Sequence, residues 1–113
     1  MVRATAAEVE DLLGSYPVGW DATKVGELCT SADYYLDGYV KTYYNTTLSA
    51  TATDVVNIAN HIVVQMIHRA NAVHKGADIL PEIFTEEIKM LIAAVVGTTT
   101  NDGVYAGDMC EDD

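Results

Sequence analysis

The spacing of apolar residues between positions 53 and 75 constrains the fold most strongly. This stretch, TDVVNIANHIVVQMIHRANAVHK, repeats apolar side chains at intervals of three and four residues, as one side of an α-helix requires. The apolar face covers about half of the helix circumference. Its members are Val55, Val56, Ile58, Ala59, Ile62, Val63, Met66, Ile67, Ala70 and Val73. A helix with so wide an apolar face is typically central in its bundle, so we predict an all-α fold built around it.

Capping signals predict two helices before this one. The first begins at a capping box in residues 5–8, TAAE, and ends before Gly14. The second begins at Asp21, a residue suited to the N-cap, and runs to about Tyr44.

The fourth helix is predicted from about Thr85 to Val96, with Pro81 placed for a first helical turn. A chain of 113 residues suggests one domain. The predicted architecture is therefore a small all-α bundle of about four helices over residues 1–96. An extended acidic C-terminal segment, residues 97–113, follows it.

Five tyrosines lie close together in the second helix, in SADYYLDGYVKTYYN, residues 31–45. At about 100° per residue, Tyr35, Tyr39 and Tyr43 fall on the apolar side of the helix, which predicts that they belong to the core. Tyr34 points the opposite way and Tyr44 lies at the edge of the apolar stripe.

The net charge of −11, from 17 acidic and 6 basic residues, argues against several functions. Gripping a phosphate backbone requires clustered lysine and arginine, so specific nucleic-acid binding is not expected. Docking on an anionic membrane is disfavoured for the same reason. The longest apolar run, MLIAAVV, is too short to span a bilayer, and the N-terminus lacks the pattern of a signal peptide.

No pattern of catalytic or metal-binding residues emerges. His61 and His68 share a polar helix face but are about 10 Å apart along the axis, too far to hold one metal ion. No phosphate-binding glycine loop and no nucleophile motif is present. Cys29 and Cys110 are interpreted as reduced thiols, in a cytoplasmic setting. We therefore expect no enzyme activity, no cofactor and no metal.

Some residues remain that the predicted core does not use. Apolar or aromatic side chains outside the core faces of three helices could form a contact surface for neighbouring chains. Gly38 lies beside Tyr34, where its missing side chain would let another chain approach closely. The candidate subunit-interface residues are Tyr34, Gly38, Tyr44, Val64, Met90 and Ala94.

The order of these signals resembles the head–tail connector, or adaptor, proteins of tailed phages. Those chains open with a T-x-x-E-V-x-x-L-L helix, and a longer helix with an acidic start, an apolar helix with a basic end and a short fourth helix follow. The matching stretches are TAAEVEDLLG (5–14), DATKVGELCTSADYYLDGYV (21–40), ANHIVVQMIHRA (59–70) and LPEIFTEEIKMLIA (80–93). The tyrosine-rich second helix and the acidity depart from that pattern.

The resemblance implies a structural virion protein without catalytic activity. Copies would form a homo-oligomeric ring, usually dodecameric, at the neck of the virion after assembly in the host cytoplasm. The ring would bind the portal protein, extend the DNA channel without specific DNA binding, and carry the next neck, stopper or tail protein. The C-terminal segment would reach the portal, with Val104, Tyr105 and Met109 as candidate contacts.

The negative charge also allows a second functional hypothesis. A small acidic helical regulator, either a DNA mimic or a subunit of a packaging enzyme, would bind a basic protein partner. The acidic residues are scattered over the helices and the C-terminal segment, whereas a mimic would space carboxylates along one exposed face.

Overall fold

The computed structural model describes residues 2–99, which form four α-helices and no β-strand. The predicted all-α fold is thus confirmed. The helices are α1 (Ala6–Leu13), α2 (Ala22–Tyr44), α3 (Thr53–His74) and α4 (Glu86–Thr99).

The first two helices begin at the residues that the sequence indicated. The Thr5 hydroxyl oxygen accepts a hydrogen bond from the Glu8 backbone N–H at 3.2 Å. Asp21 Oδ1 accepts one from the Lys24 backbone N–H at 2.9 Å. Each side chain satisfies an N–H that has no partner inside its helix. Gly14 ends α1 at a φ of 85°, a conformation that glycine adopts without steric penalty.

The fourth helix begins close to its predicted start but ends later than predicted. It begins at Glu86, where the Thr85 hydroxyl accepts a hydrogen bond from the Ile88 N–H at 3.2 Å. Pro81 lies outside the helix, and its carbonyl accepts a hydrogen bond from Arg69 Nη1 at 3.1 Å, so the prediction of a proline in the first turn is wrong. The helix continues to Thr99 rather than ending at Val96, because Gly97 does not take the positive φ that would end it.

Helix α3 is central, as its wide apolar face predicted. It packs against α1, α2 and α4, while α1 also packs on α2. Seven apolar side chains of α3 are buried between these neighbours: Val55, Ile58, Ala59, Ile62, Val63, Met66 and Ile67. Helix α2 buries Val25, Cys29, Ala32, Leu36 and Val40 against them.

The core is narrower than the apolar stripes of the sequence. Tyr35 is 50% exposed and Tyr43 is 69% exposed, so the prediction that they lie in the core is wrong. Tyr39 is half-buried. On α3, Ala70 and Val73 are exposed although they continue its apolar face. In both helices the stripe extends beyond the surface that the neighbouring helices cover.

A buried arginine ties the N-terminus to α2 and to the α2–α3 loop. The Arg3 guanidinium forms ion pairs with Asp33 at 3.0 Å and with Asp37 at 2.9 Å. Its Nε and Nη2 also donate to the carbonyl oxygens of Ser49 at 2.9 Å and Leu48 at 3.1 Å. Arg3 is 8% exposed, and every one of these partners compensates for the loss of water around its charge.

Asn60 is the second buried polar residue of the described region. Its Oδ1 accepts a hydrogen bond from the Thr5 N–H at 3.2 Å, and its Nδ2 donates to Glu8 Oε1 at 3.2 Å. In a capping box the glutamate side chain would itself accept the N-cap N–H. Here Asn60 of α3 lies between the two groups, so the start of α1 is fixed to the central helix.

We expect Arg3→Met to lower the free energy of unfolding by about 3 kcal/mol, because it leaves Asp33 partly buried without its cation. Urea denaturation followed by circular dichroism measures the change. Lys89→Met is the control, since the Lys89–Glu86 pair is long, 3.9 Å, and exposed; its loss should change stability by less than about 0.5 kcal/mol. Equal effects of the two variants would contradict the role given to Arg3.

Candidate interaction surface

Helix α2 presents two parallel rows of side chains to its surroundings. One row, which includes Leu36 and Val40, lies against α3 and is buried. The next row holds Tyr35, Tyr39 and Tyr43 at intervals of four residues, on the flank of the helix. Among the described residues, only the middle tyrosine has an aromatic partner from outside α2: its ring stacks on Phe84 with centroids 4.6 Å apart and planes 12° apart.

These tyrosines line a shallow open groove of about 400 Å³. We call it the tyrosine groove; its residues are Tyr34, Tyr35, Gly38, Tyr39, Thr42, Tyr43 and Phe84. None of these lining residues, which all belong to the described part of the chain, carries a charge. Tyr39 and Tyr43 contact each other with ring centroids 4.7 Å apart, so part of the aromatic surface is already ordered by its own packing.

A second shallow groove adjoins the first. The Arg69 groove, about 370 Å³, is lined by Leu28, Tyr35, Met66, Arg69, Ala70, Val73 and Ile83. Tyr35 belongs to both grooves, which therefore form one continuous apolar and aromatic surface across α2, the C-terminal half of α3 and the residues before α4. Arg69 is half-buried there, and aromatic residues and arginine are the types enriched in protein–protein interfaces.

Two of the residues predicted for a subunit interface lie together on this surface. Tyr34, 76% exposed, and Gly38 both line the tyrosine groove. A Cβ placed at Gly38 would meet no atom within 4 Å outside its own stretch of helix, so packing against the other described residues does not require glycine at this position. Tyr44 is 38% exposed, and burial together with the neighbouring Tyr39 raises the pKa of its hydroxyl.

The other predicted interface residues are dispersed. Val64 is half-buried and packs against the core, so only part of its side-chain surface is accessible to a partner. Met90 is 68% exposed on α4, and Ala94 is exposed one turn later. The candidate portal contacts Val104, Tyr105 and Met109 lie outside the described residues.

The sequence missed Tyr35 and Tyr43 as surface residues. Both were assigned to the core because their helical angle matches the apolar stripe. The width of that stripe was the available signal, since a helix packed mainly on one neighbour cannot bury more than a limited arc. Ile83 and Phe84 were not identified as parts of the surface because their positions depend on the path of the segment before α4.

Polar side chains of the described region do not converge into a reactive site. Burial, followed by the nearby carboxylates of Asp33 and Glu8, raises the pKa of the Cys29 thiol to about 11, so this thiol stays protonated at neutral pH. His61 is half-buried and His68 is exposed. Within residues 2–99 no three side chains of His, Cys, Asp or Glu form a group that could hold a metal ion.

None of the helices in the described part of the chain has the length and apolar character needed to cross a membrane. No protein-family model, no curated protein and no solved structure matches this chain significantly.

We expect the aromatic surface to contribute unequally to stability. Tyr39→Ala should lower the free energy of unfolding by about 2 kcal/mol, because it removes a half-buried ring stacked on Phe84. Tyr34→Ala should change it by less than about 0.5 kcal/mol, because the Tyr34 side chain is exposed. Urea denaturation of both variants measures the difference. A large loss for Tyr34→Ala would show that Tyr34 stabilises the isolated chain.

Proposed function

We propose that this chain is a structural head–tail connector of a tailed phage. Copies form a ring that docks on the portal protein, extends the DNA channel and carries the next neck, stopper or tail protein. Two observations support the proposal: the order of the four helices, which resembles that of connector proteins, and the apolar surface that the folded chain leaves uncovered.

The tyrosine groove is the structural feature that most strongly supports self-association of the chain. Monomeric soluble proteins rarely expose a contiguous apolar patch larger than a few hundred Å² unless the patch has a function. Tyrosine is also among the residue types that dominate binding energy in interfaces. A groove lined by five aromatic rings and no charge is therefore suited to a protein partner, and a second copy is the partner that ring formation requires.

Ring closure requires two different patches on each copy. Contacts of this heterologous kind join one surface to another and close when the rotation between copies divides a full turn. The tyrosine groove, with the adjoining Arg69 groove, supplies one patch. The exposed face of α4 that holds Met90 and Ala94 is our candidate for the other. A durable contact should bury on the order of 800 Å² on each copy.

The charge of the chain fits a channel through which DNA moves. A net charge of −11 repels phosphate at close range, so DNA passes without binding. The same charge also fits the alternative function, a small acidic regulator that binds a basic protein. The two functions differ in what they require of the chain, because only the connector must form a ring.

We expect the purified chain to form rings with its cognate portal protein, visible by negative-stain electron microscopy. Tyr34→Asp should abolish the rings, because it places a charge in the uncharged tyrosine groove, and should leave the circular dichroism spectrum unchanged. Ala7→Asp is the control, since it adds the same charge at an exposed position of α1.

A chain that stays monomeric and does not bind the portal at any concentration would contradict the connector function. In that case, competition with DNA for a basic protein would support the acidic regulator instead. Loss of helical signal in Tyr34→Asp would place Tyr34 in the fold rather than in the interface.

Two glycines of α2 provide a matched test of the groove. Neither Gly26 nor Gly38 would have another atom within 4 Å of an added Cβ. We expect Gly26→Ala and Gly38→Ala each to raise the free energy of unfolding by about 0.5 to 1 kcal/mol, because alanine favours the helix. Only Gly38→Ala should weaken ring formation, measured as the concentration of half-assembly by mass photometry. Equal assembly of the two variants would show that Gly38 is not a point of close approach between copies.

A further inference from the structure

A third groove, at the N-terminal end of α2 and the C-terminal end of α3, differs from the other two in its chemistry. The Trp20 groove, about 310 Å³, is lined by Val18, Gly19, Trp20, Lys24, Ala70, Asn71 and His74. It combines an indole ring and a fully exposed Val18 with basic and amide side chains. No carboxylate among residues 2–99 lines it, although acidic residues outnumber basic ones almost three to one in the chain.

The polar side chains of the Trp20 groove present hydrogen-bond donors. Asn71 Oδ1 accepts from the Trp20 indole N–H at 3.0 Å, which leaves the Asn71 amide nitrogen without a partner among residues 2–99. Lys24 Nζ donates one of its three hydrogens, to the Gly19 carbonyl at 2.8 Å. The His74 ring forms no hydrogen bond or ion pair with the described residues. The carboxylate of Asp21 lies three residues before Lys24 in sequence, but it caps α2 by accepting a hydrogen bond from the Lys24 backbone N–H.

Unused donors around an aromatic ring are suited to a carboxylate-rich peptide that also carries apolar side chains. Carboxylates accept hydrogen bonds from ammonium and amide groups more strongly than neutral acceptors do. An apolar or aromatic side chain between them could pack on the indole face.

The chain itself contains such a peptide. Residues 100–113, TNDGVYAGDMCEDD, hold five of the seventeen acidic residues and no lysine or arginine. Val104, Tyr105 and Met109 are interspersed among the acids. This segment lies outside the described residues. Fully extended, its fourteen residues span at most about 46 to 50 Å, comparable with the 47 Å longest dimension of the molecule.

We propose that the Trp20 groove is the docking site for the acidic C-terminal segment, residues 100–113. Carboxylates of the segment pair with Lys24 and with the donors of Asn71 and His74, and one of its apolar side chains covers the indole of Trp20. The inference rests on the charge complementarity between the Trp20 groove and residues 100–113 of the same chain. It does not depend on the proposed function.

Trp20 makes the docking measurable, because it is the only tryptophan of the chain and it lines the groove. The measurement is acrylamide quenching of tryptophan fluorescence in the full-length protein. Docking shields the indole, so the quenching constant should be low in the wild type. It should rise when three of the five acidic side chains of the segment are neutralised in Glu111→Gln/Asp112→Asn/Asp113→Asn. High salt should also raise it in the wild type, because salt screens the attraction.

A matched variant controls for the change in net charge. Glu10→Gln/Asp11→Asn/Glu82→Gln removes three exposed carboxylates that do not line the Trp20 groove, and it should leave the quenching constant at the wild-type value. Lys24→Gln/His74→Gln removes the basic side chains of the groove itself. When the groove variant is combined with the segment variant, the quenching constant should rise little above that of either variant alone. Each change by itself already undocks the segment.

A quenching constant that is equal in the wild type and in the segment variant would overturn the proposal, since the indole would then be uncovered by residues 100–113. Fully additive effects of the groove and segment variants would also overturn it, because the two sites would then act independently. An increase in the Glu10→Gln/Asp11→Asn/Glu82→Gln control equal to that of the segment variant would attribute the effect to net charge rather than to docking.

Discussion

Coverage of the wide apolar face of α3 is the constraint on which the rest of the structure depends. One helix can cover only part of such a face, so α1, α2 and α4 all pack against it. Each outer helix directs one row of side chains inward and leaves its flanks outside the core. The short α1 is held in this arrangement by polar contacts as well, since Asn60 of α3 bonds to both Thr5 and Glu8.

The aromatic surface of α2 follows from this arrangement. The row of Leu36 and Val40 packs inward, and the row of Tyr35, Tyr39 and Tyr43 remains on the flank. Of these three rings, Phe84 stacks on the middle one alone. Because the rings project from a long helix that is anchored in the core, a partner would meet a surface that is largely ordered before binding, which reduces the entropy lost on association. This is the physical basis on which we propose a subunit interface on this side of the molecule.

The few basic residues have distinct structural surroundings. Arg3 is buried among Asp33, Asp37 and two carbonyl groups, and Arg69 bonds to the Pro81 carbonyl. The guanidinium groups of both arginines therefore form polar contacts within the chain. Lys24, by contrast, borders the Trp20 groove with most of its hydrogen-bonding capacity unused. We therefore propose this groove as the docking site of the acidic residues 100–113, which belong to the same chain and so meet the groove at a high effective concentration.

The sequence by itself determined the number, order and approximate ends of the four helices, as well as the central place of α3. These properties depend on local physics: caps act within one turn, and apolar periodicity is read along one helix. The tertiary structure alone decided which flank of α2 is covered and that Arg3 is buried against Asp33 thirty residues away. It also decided that Phe84 lines the tyrosine groove and Ile83 the Arg69 groove. Those outcomes depend on contacts between segments distant in the sequence. Helical periodicity gives the direction of a side chain but not whether another element lies there to bury it.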